Sequence, residues 1–248
     1  MSGHSKWATI RRKKGAEDAK RGQLFTKRIK EIMVAARAGG GDEESNPQLR
    51  TAILNAKIAN MPKENIERAI KKATGDLDGV DYTELMYEAY GPGGVAILIQ
   101  CLTDNRNRTA ADIRGILTKG GGSLGESGSV SYLFRRRGVI SIDAEGNSED
   151  SIIEVGLEAG AEDITNDDEL IEVVSEPESF DSVLAALTEA GIESSSAEVT
   201  MVPELRVALE EGATRKALRL MDNLDEHDDV QTVSSNIDIP DDFEFDAE

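Results

Sequence analysis

Basic residues are concentrated near the start of this acidic chain, where their chemistry would be contact with phosphate. Residues 1–37 hold eleven Lys/Arg and three Asp/Glu, although the formal net charge of the protein is −20. Lys and Arg displace the counterions condensed on a polyanion, which supplies affinity without sequence preference. Trp7 is the chain's one tryptophan, and a nucleobase could stack on its indole. We predict that this basic N-terminal region, residues 4–30, contacts nucleic acid through His4, Lys6, Trp7, Arg11, Arg12, Lys13, Lys14, Lys20, Arg21, Lys27, Arg28 and Lys30.

The rest of the chain has the opposite charge. Residues 1–72 carry 17 Lys/Arg and eight Asp/Glu, whereas residues 138–248 carry four and 32. An acidic body repels nucleic acid, so phosphate contacts must come from the N-terminal third or from local basic clusters. The acidity of the second half has a simpler explanation as well, which is solubility.

Two further basic clusters have alternative interpretations. Asp104–Thr109 lies where a buried strand leads into a helix, a common position for binding residues. Its Arg106 and Arg108 either tie the loop to nearby carboxylates or contact a phosphate or a neighbouring domain. Arg135–Arg137 fits a solvated or hinge-anchoring role as well as it fits RNA contact.

No arrangement of residues indicates catalysis. Cys101 lies in an apolar run and is expected to be a buried, inert thiol, and His4 and His227 lack the companions of a triad or zinc site. Gly120–Gly125 matches G-x-G-x-x-G spacing but follows a helical pattern and precedes a strand, so a capping turn is favoured over a dinucleotide loop. Carboxylates are too abundant for any pair to indicate hydrolysis. We expect no enzyme activity, cofactor, metal or small-molecule substrate.

Composition also bears on compartment. A single cysteine fits a reducing cytoplasm, and the chain has no apolar run of about 18 residues that would span a membrane. The basic N-terminal region has no apolar segment behind it, so we expect neither a secretory leader nor a membrane partner.

Helical periodicity dominates the first third of the chain. It predicts a helix over residues 17–38, a second that starts at Asn46-Pro47, and a third that runs to about Ala73. Strands are predicted over 85–90, 95–102 and 129–134. A helix is predicted over 105–119, with Thr109 and Asp112 placed like a capping box.

The later pattern predicts a second sheet inserted in the first. Residues 138–202 alternate as βαββαβ, which is the ferredoxin-like order. Residues 205–211 and 214–224 are predicted to be helical, and a late strand over 230–237 should rejoin the sheet begun at 85–102. The fold is therefore α+β with three domains and an acidic tail. They are a basic arm and three-helix bundle (1–76), a discontinuous α/β domain (80–135 plus 204–240), an inserted ferredoxin-like domain (136–203) and the tail (241–248).

Six short motifs follow one another along the chain: Gly3–Trp7, Met61–Ile66, Tyr87–Val95, Asp104–Thr109, Gly121–Gly125 and Asp229–Val233. Their sequences and their order resemble those of the YebC/PmpR family, which includes the mitochondrial translational activator of cytochrome c oxidase subunit one. The resemblance covers essentially the whole chain and implies the same three-domain arrangement.

The resemblance implies two roles that its motifs do not separate. Some family members are similar to DNA-binding transcriptional regulators, and others are similar to translation factors that relieve ribosome stalling. A basic region with one aromatic suits structured RNA better than sequence-specific duplex reading. Our hypothesis is a cytoplasmic, ribosome-associated factor that binds ribosomal RNA; the alternative is a transcriptional regulator that binds DNA through the same surface.

Overall fold

The described residues form a three-helix bundle, two four-stranded sheets with their helices, and a small two-stranded sheet. The computed structural model describes residues 18–75, 82–167, 169–240 and 243. The two large sheets are each packed with helices, which gives the α+β class predicted from the sequence.

The bundle consists of α1 (Asp18–Gly39), α2 (Pro47–Ile58) and α3 (Lys63–Thr74). Their apolar faces meet in a core in which Ile32, Leu49 and Ala56 are fully buried. Asn46 is the N-cap of α2, since its side-chain oxygen accepts the Leu49 N–H at 3.1 Å. Its amide nitrogen donates to carbonyls at the end of α1, so one side chain fixes the corner between the two helices.

The central sheet holds β1 (Thr83–Tyr90), β2 (Ala96–Thr103), β3 (Ser123–Leu124) and β9 (Val230–Ser235) in the order β3-β1-β2-β9. Its apolar face packs against α4 (Arg106–Lys119) and α7 (Glu211–Asp225). The late strand β9 pairs antiparallel with β2, so its predicted return to the first sheet is confirmed.

The inserted unit has βαββαβ order. Its elements are β4 (Phe134–Asp143), α5 (Glu149–Ala159), β5 (Ala161–Asn166), β6 (Leu170–Ser175), α6 (Phe180–Glu189) and β7 (Ser196–Pro203). The strands pair as β5-β6-β4-β7, all antiparallel, which is the ferredoxin-like arrangement expected from the sequence. The exact domain boundaries stay predictions.

The predicted strand over 129–134 is wrong. A 3₁₀ turn occupies Ser131–Leu133, and β4 begins only at Phe134. The buried Glu88 carboxylate on β1 accepts the backbone N–H groups of Gly128, Val130 and Ser131 at 2.6, 2.7 and 2.8 Å. These N–H groups donate to a side chain about forty residues earlier in the sequence, so residues 128–131 turn around Glu88 and do not join a sheet.

The helix predicted over 205–211 is wrong as well. Val207–Ala208 (β8) is extended and pairs in parallel with Ile237–Asp238 (β10), and α7 begins at Glu211. The Val207 N–H donates to the Asn236 carbonyl at 2.8 Å. This pairing spans about thirty residues, and helical spacing cannot reveal it.

The capping box predicted for α4 is also wrong. Asn105 is the N-cap, and its side-chain oxygen accepts the Arg108 N–H at 3.1 Å. Thr109 lies inside the helix and is fully buried. Its hydroxyl is hydrogen-bonded to buried polar groups, among them the Asp229 carboxylate.

Glu88 gives a test of this fold. Burial alone would raise the pKa of its carboxyl, but the three N–H donors lower it, so its stabilisation is present above the unfolded pKa and is lost as the pH falls. Glu88→Ala should lower the free energy of unfolding at pH 7 by about 1–3 kcal/mol, because buried N–H groups lose their acceptor. Urea unfolding measures the change. Glu84→Ala, at an exposed position on the same strand, should change stability by less than about 0.5 kcal/mol, and equal effects would contradict the role of Glu88.

Candidate functional site

Two lysines of the basic N-terminal region face the central sheet. Lys27 and Lys30 lie three residues apart and therefore on one face of α1. The Lys30 Nζ is 2.8 Å from the Asp229 Oδ1 and donates to the Asp228 carbonyl at 2.8 Å. The Lys27 Nζ is 3.2 Å from the Asp225 Oδ1 and also donates to the Asp225 carbonyl. Each lysine is only 7% exposed, so both are structural ties between the bundle and the segment from α7 to β9.

Asp229 is the centre of this contact. Besides Lys30, its carboxylate accepts from the Arg108 Nη2 at 2.9 Å and from the hydroxyls of Thr109 and Thr103 at 2.9 and 3.1 Å. Burial by itself would raise the pKa of this carboxyl, but the hydrogen bonds from Lys30, Arg108 and Thr109, together with the Lys30 charge, hold the pKa well below its usual range. Asp229 is therefore ionised and satisfied at neutral pH. We call Lys27, Lys30, Arg108, Asp225 and Asp229 the interdomain cluster.

An open cleft of about 570 Å³ adjoins the cluster, between α1 and the ends of β2 and α7. In it, the Asp229 N–H donates to the His227 Nδ1 at 3.1 Å, so the neutral ring carries its proton on Nε2, 3.3 Å from the Asp112 Oδ2. The lining contains five carboxylates against the two cations Lys30 and Arg108. Excess negative charge makes this cleft unsuitable for phosphate.

The bundle also contacts the inserted unit. The side-chain amide of Asn55 on α2 donates to the Ala197 carbonyl on β7 at 2.8 Å in a buried position. Leu54, its neighbour, packs against the core of the inserted unit. The bundle is thus fixed on two sides.

The structure separates the basic residues that the sequence grouped together. Lys27 and Lys30 pair with acidic residues inside the protein, and Arg28 pairs with Glu31 at 2.8 Å. The ammonium groups of Lys27 and Lys30 are buried, so the prediction that these two residues contact phosphate is wrong. The remaining predicted contacts of the region lie outside the described residues or side chains, and they are His4, Lys6, Trp7, Arg11, Arg12, Lys13, Lys14, Lys20 and Arg21.

The other predicted arginines take different positions. Arg108 is half-exposed and pairs with Asp104 at 2.8 Å as well as with Asp229, which favours the loop-anchoring and domain-contact interpretations. Arg106 is exposed. Arg137 pairs with Glu162 and Glu176, as the anchoring interpretation expected. The role of Asp229 was not predicted from the sequence. The one sequence feature that pointed to this residue is its position in the last family motif.

Exposed basic side chains remain on α2 and α3 of the bundle. Two of them form loose ion pairs at 3.8 Å, Lys57 with Glu43 and Lys63 with Glu67. The set, which we call the bundle's basic surface, is Arg50, Lys57, Lys63, Arg68, Lys71 and Lys72.

Cys101 is fully buried, and burial raises the pKa of its thiol to about 12, in keeping with the inert thiol predicted. Within the described ranges, no three His, Cys, Asp or Glu side chains are grouped to hold a metal ion. No helix in the part of the chain that the structure describes is long and apolar enough to cross a membrane.

These features define a class of three-part α+β proteins in which a helical bundle is fixed by buried ion pairs to an acidic body. The family domain described as "TACO1/YebC protein N-terminal domain" matches residues 5–76, and "TACO1/YebC second and third domain" matches residues 82–237. The chain belongs to the TACO1/YebC family, and the resemblance predicted from its motifs is confirmed.

Similar proteins support this assignment. A "probable transcriptional regulatory protein" of Treponema denticola is 64% identical over 245 residues, 99% of each chain. Another of that description, from Desulforapulum autotrophicum, is 57% identical over 247 residues, 100% of each chain. The crystal structure of a conserved hypothetical protein from Aquifex aeolicus has a TM-score of 0.84 and 47% identity, and covers 90% of this chain and 92% of that one.

The interdomain cluster predicts a large effect of a small substitution. Asp229→Asn leaves the buried Lys30 ammonium without its carboxylate and should lower the free energy of unfolding by about 3–5 kcal/mol. Urea unfolding at pH 7 measures this loss. Glu67→Gln, which removes one carboxylate from an exposed ion pair, is the matched control and should cost less than about 1 kcal/mol.

The loss of stability in Asp229→Asn should decrease as the pH falls. The pKa of Asp229 is depressed in the folded protein, so its contribution is fully present above the unfolded value of about 3.9 and is lost as the pH falls further. The difference in free energy of unfolding between the wild type and Asp229→Asn should therefore stay constant from pH 7 to about 5 and decrease at lower pH. A difference that increases on acidification would contradict the assigned charge of Asp229.

Proposed function

We propose that this protein is a cytoplasmic, non-enzymatic regulator of gene expression that binds ribosomal RNA and acts on the ribosome, where it relieves stalling. The observation that carries the proposal is the separation of charge. Residues 1–72 have nine more basic than acidic groups, whereas residues 138–248 have 28 more acidic than basic ones. Docking on a polyanion would therefore be directed through one end of the molecule.

The bundle's basic surface supports this proposal. Its six side chains are exposed on α2 and α3, and among the residues that the structure describes, only Lys57 and Lys63 have an acidic partner, at the long distance of 3.8 Å. Such loose pairs contribute little and exchange readily for phosphate. Together with Arg11–Lys14 they account for ten of the seventeen basic residues in residues 1–72.

The pattern of the exposed residues favours ribosomal RNA over a specific DNA site. On α3, acidic Glu64 and Glu67 stand among the basic residues, which suits contact with phosphates at selected points better than insertion of the whole face into a major groove. Structured RNA is recognised largely through its shape and phosphates. The acidic units, fixed to the bundle by the interdomain cluster, would then act by position and not by chemistry.

The second candidate is a transcriptional regulator that binds DNA through the same basic surface. The name of the relatives, probable transcriptional regulatory protein, favours it. Regulation of particular genes needs a specificity ratio of roughly a thousandfold or more between target sites and random DNA. Competition binding with target and random duplexes measures this ratio.

Salt dependence tests the electrostatic part of the proposal. Replacement of Arg11, Arg12, Lys13 and Lys14 by Ala should lower the slope of log K against log salt by about 3–4 if each neutralises one duplex phosphate. The matched control is Arg114→Ala with Lys119→Ala, two exposed basic residues on α4, for which no change is expected. An unchanged slope in the fourfold variant would remove these residues from the binding mechanism.

Sedimentation and crosslinking distinguish the two candidates. We expect the protein in cell extract at moderate salt to sediment with ribosomes and to crosslink to ribosomal RNA. The fourfold variant should stay in the soluble fraction at the same salt concentration. Recovery at discrete chromosomal sites without ribosomal RNA crosslinks would instead establish the DNA-binding alternative.

A further inference from the structure

The two most exposed large apolar side chains among the described residues lie at one end of the inserted sheet. Tyr132 is 67% exposed and Leu205 is 70% exposed. β4 pairs with β7 so that Phe134 is opposite Pro203. One residue further, the Glu204 N–H donates to the Leu133 carbonyl at 2.9 Å. The pairing ends there, because Ser131–Leu133 form a 3₁₀ turn, so Tyr132 and Leu205 each lie one residue beyond the last backbone hydrogen bond of this strand pair.

Between Lys119 and Arg215, basic charge is confined to the same place. Residues 120–214 contain 22 Asp/Glu but only four Lys/Arg, and all four flank the apolar pair: three follow it on β4 (Arg135, Arg136 and Arg137) and one follows Leu205 (Arg206). A random scatter of four basic residues over 95 positions would rarely produce this grouping at one strand end.

Two of the four arginines are left facing solvent. Arg135 pairs with Glu204 at 2.9 Å, and Arg137 pairs with two glutamates of β5 and the turn before α6. Arg136 and Arg206 are exposed and form no ion pair with the described residues. The Tyr132 hydroxyl likewise has no hydrogen-bond partner in the described ranges, so neither folding nor packing explains these side chains.

We propose that Tyr132, Leu205, Arg136 and Arg206 form a second nucleic-acid contact, here called the aromatic–basic patch, that binds a single-stranded segment. An unstacked base would lie on the Tyr132 ring and against Leu205, while the two arginines would contact the flanking phosphates. Charge complementarity identifies the occupant, because a polyanion needs a local cationic site on an otherwise acidic unit. The inference rests on the proposed function and adds a second point of attachment far along the chain from the basic N-terminal region.

The stacking contribution is tested with a fluorescein-labelled 20-nucleotide polyuridine and the intact protein. Tyr132→Ala should raise Kd about tenfold, whereas Tyr132→Phe keeps the ring and should stay within about twofold, since stacking on one base accounts for an effect of this size. The slope of log K against log salt should not change in either variant. Leu157→Ala removes another exposed apolar side chain, 53% exposed on α5 of the same unit, and should leave Kd unchanged.

The phosphate contacts have a different signature. Arg136→Ala combined with Arg206→Ala should lower the salt slope by about 1.4, because each single-strand phosphate that an arginine neutralises adds about 0.7 to the slope. Arg114→Ala with Lys119→Ala is the charge-matched control and should leave the slope as in the wild type.

The outcomes separate this inference from the proposed function. If the wild type binds polyuridine and the Tyr132 and arginine variants bind equally well, the patch is excluded and the proposed function stands. If the wild type binds neither polyuridine nor ribosomal RNA, the aromatic–basic patch and the proposed function are both excluded. A photo-crosslinking residue, p-benzoylphenylalanine, at position 132 should capture RNA in cell extract; capture of protein alone would show a protein-docking surface and overturn the inference.

Discussion

The carboxylate of Asp229 holds three parts of the molecule in register. It receives the Lys30 ammonium from the bundle, the Thr103 hydroxyl from the end of β2, and the Arg108 and Thr109 side chains from the first turn of α4. A buried carboxylate is costly unless its lone pairs are satisfied, and here every donor comes from an element that must be in place. The ion pair therefore makes the position of the bundle depend on correct folding of the central sheet.

These buried ion pairs change how the distribution of charge along the sequence is interpreted. Part of the acidity serves folding, because Asp225 and Asp229 neutralise Lys27 and Lys30, two of the basic residues that the sequence predicted to contact nucleic acid. The basic residues thus fall into a structural set, buried against carboxylates, and an exposed set on α2 and α3. A count of charges along the sequence joins the two sets and overstates the number of residues free to meet phosphate.

Local signals predicted the elements that depend on local physics. Asn46-Pro47 set the start of α2, helical spacing gave the bundle core, and the alternation of residues 138–202 gave the ferredoxin-like order. The errors arose where a side chain distant in sequence captured the backbone, as Glu88 does with residues 128–131, or where short strands pair across a long separation, as β8 and β10 do. The partner of Lys30 lies 199 residues away, so no spacing rule could reveal that site.

Salt should act on the two sets of basic residues at different concentrations. Exposed charges separated by more than about 8 Å are largely screened at physiological ionic strength, whereas buried pairs are screened much less. Rising salt would therefore release the protein from a polyanion well before it weakens the contact of Lys30 with Asp229, which is buried on both sides. The bundle would leave its target together with the acidic units, as one body. A regulator that works by position needs this order of events, because the unit that binds and the units that act must arrive and depart together.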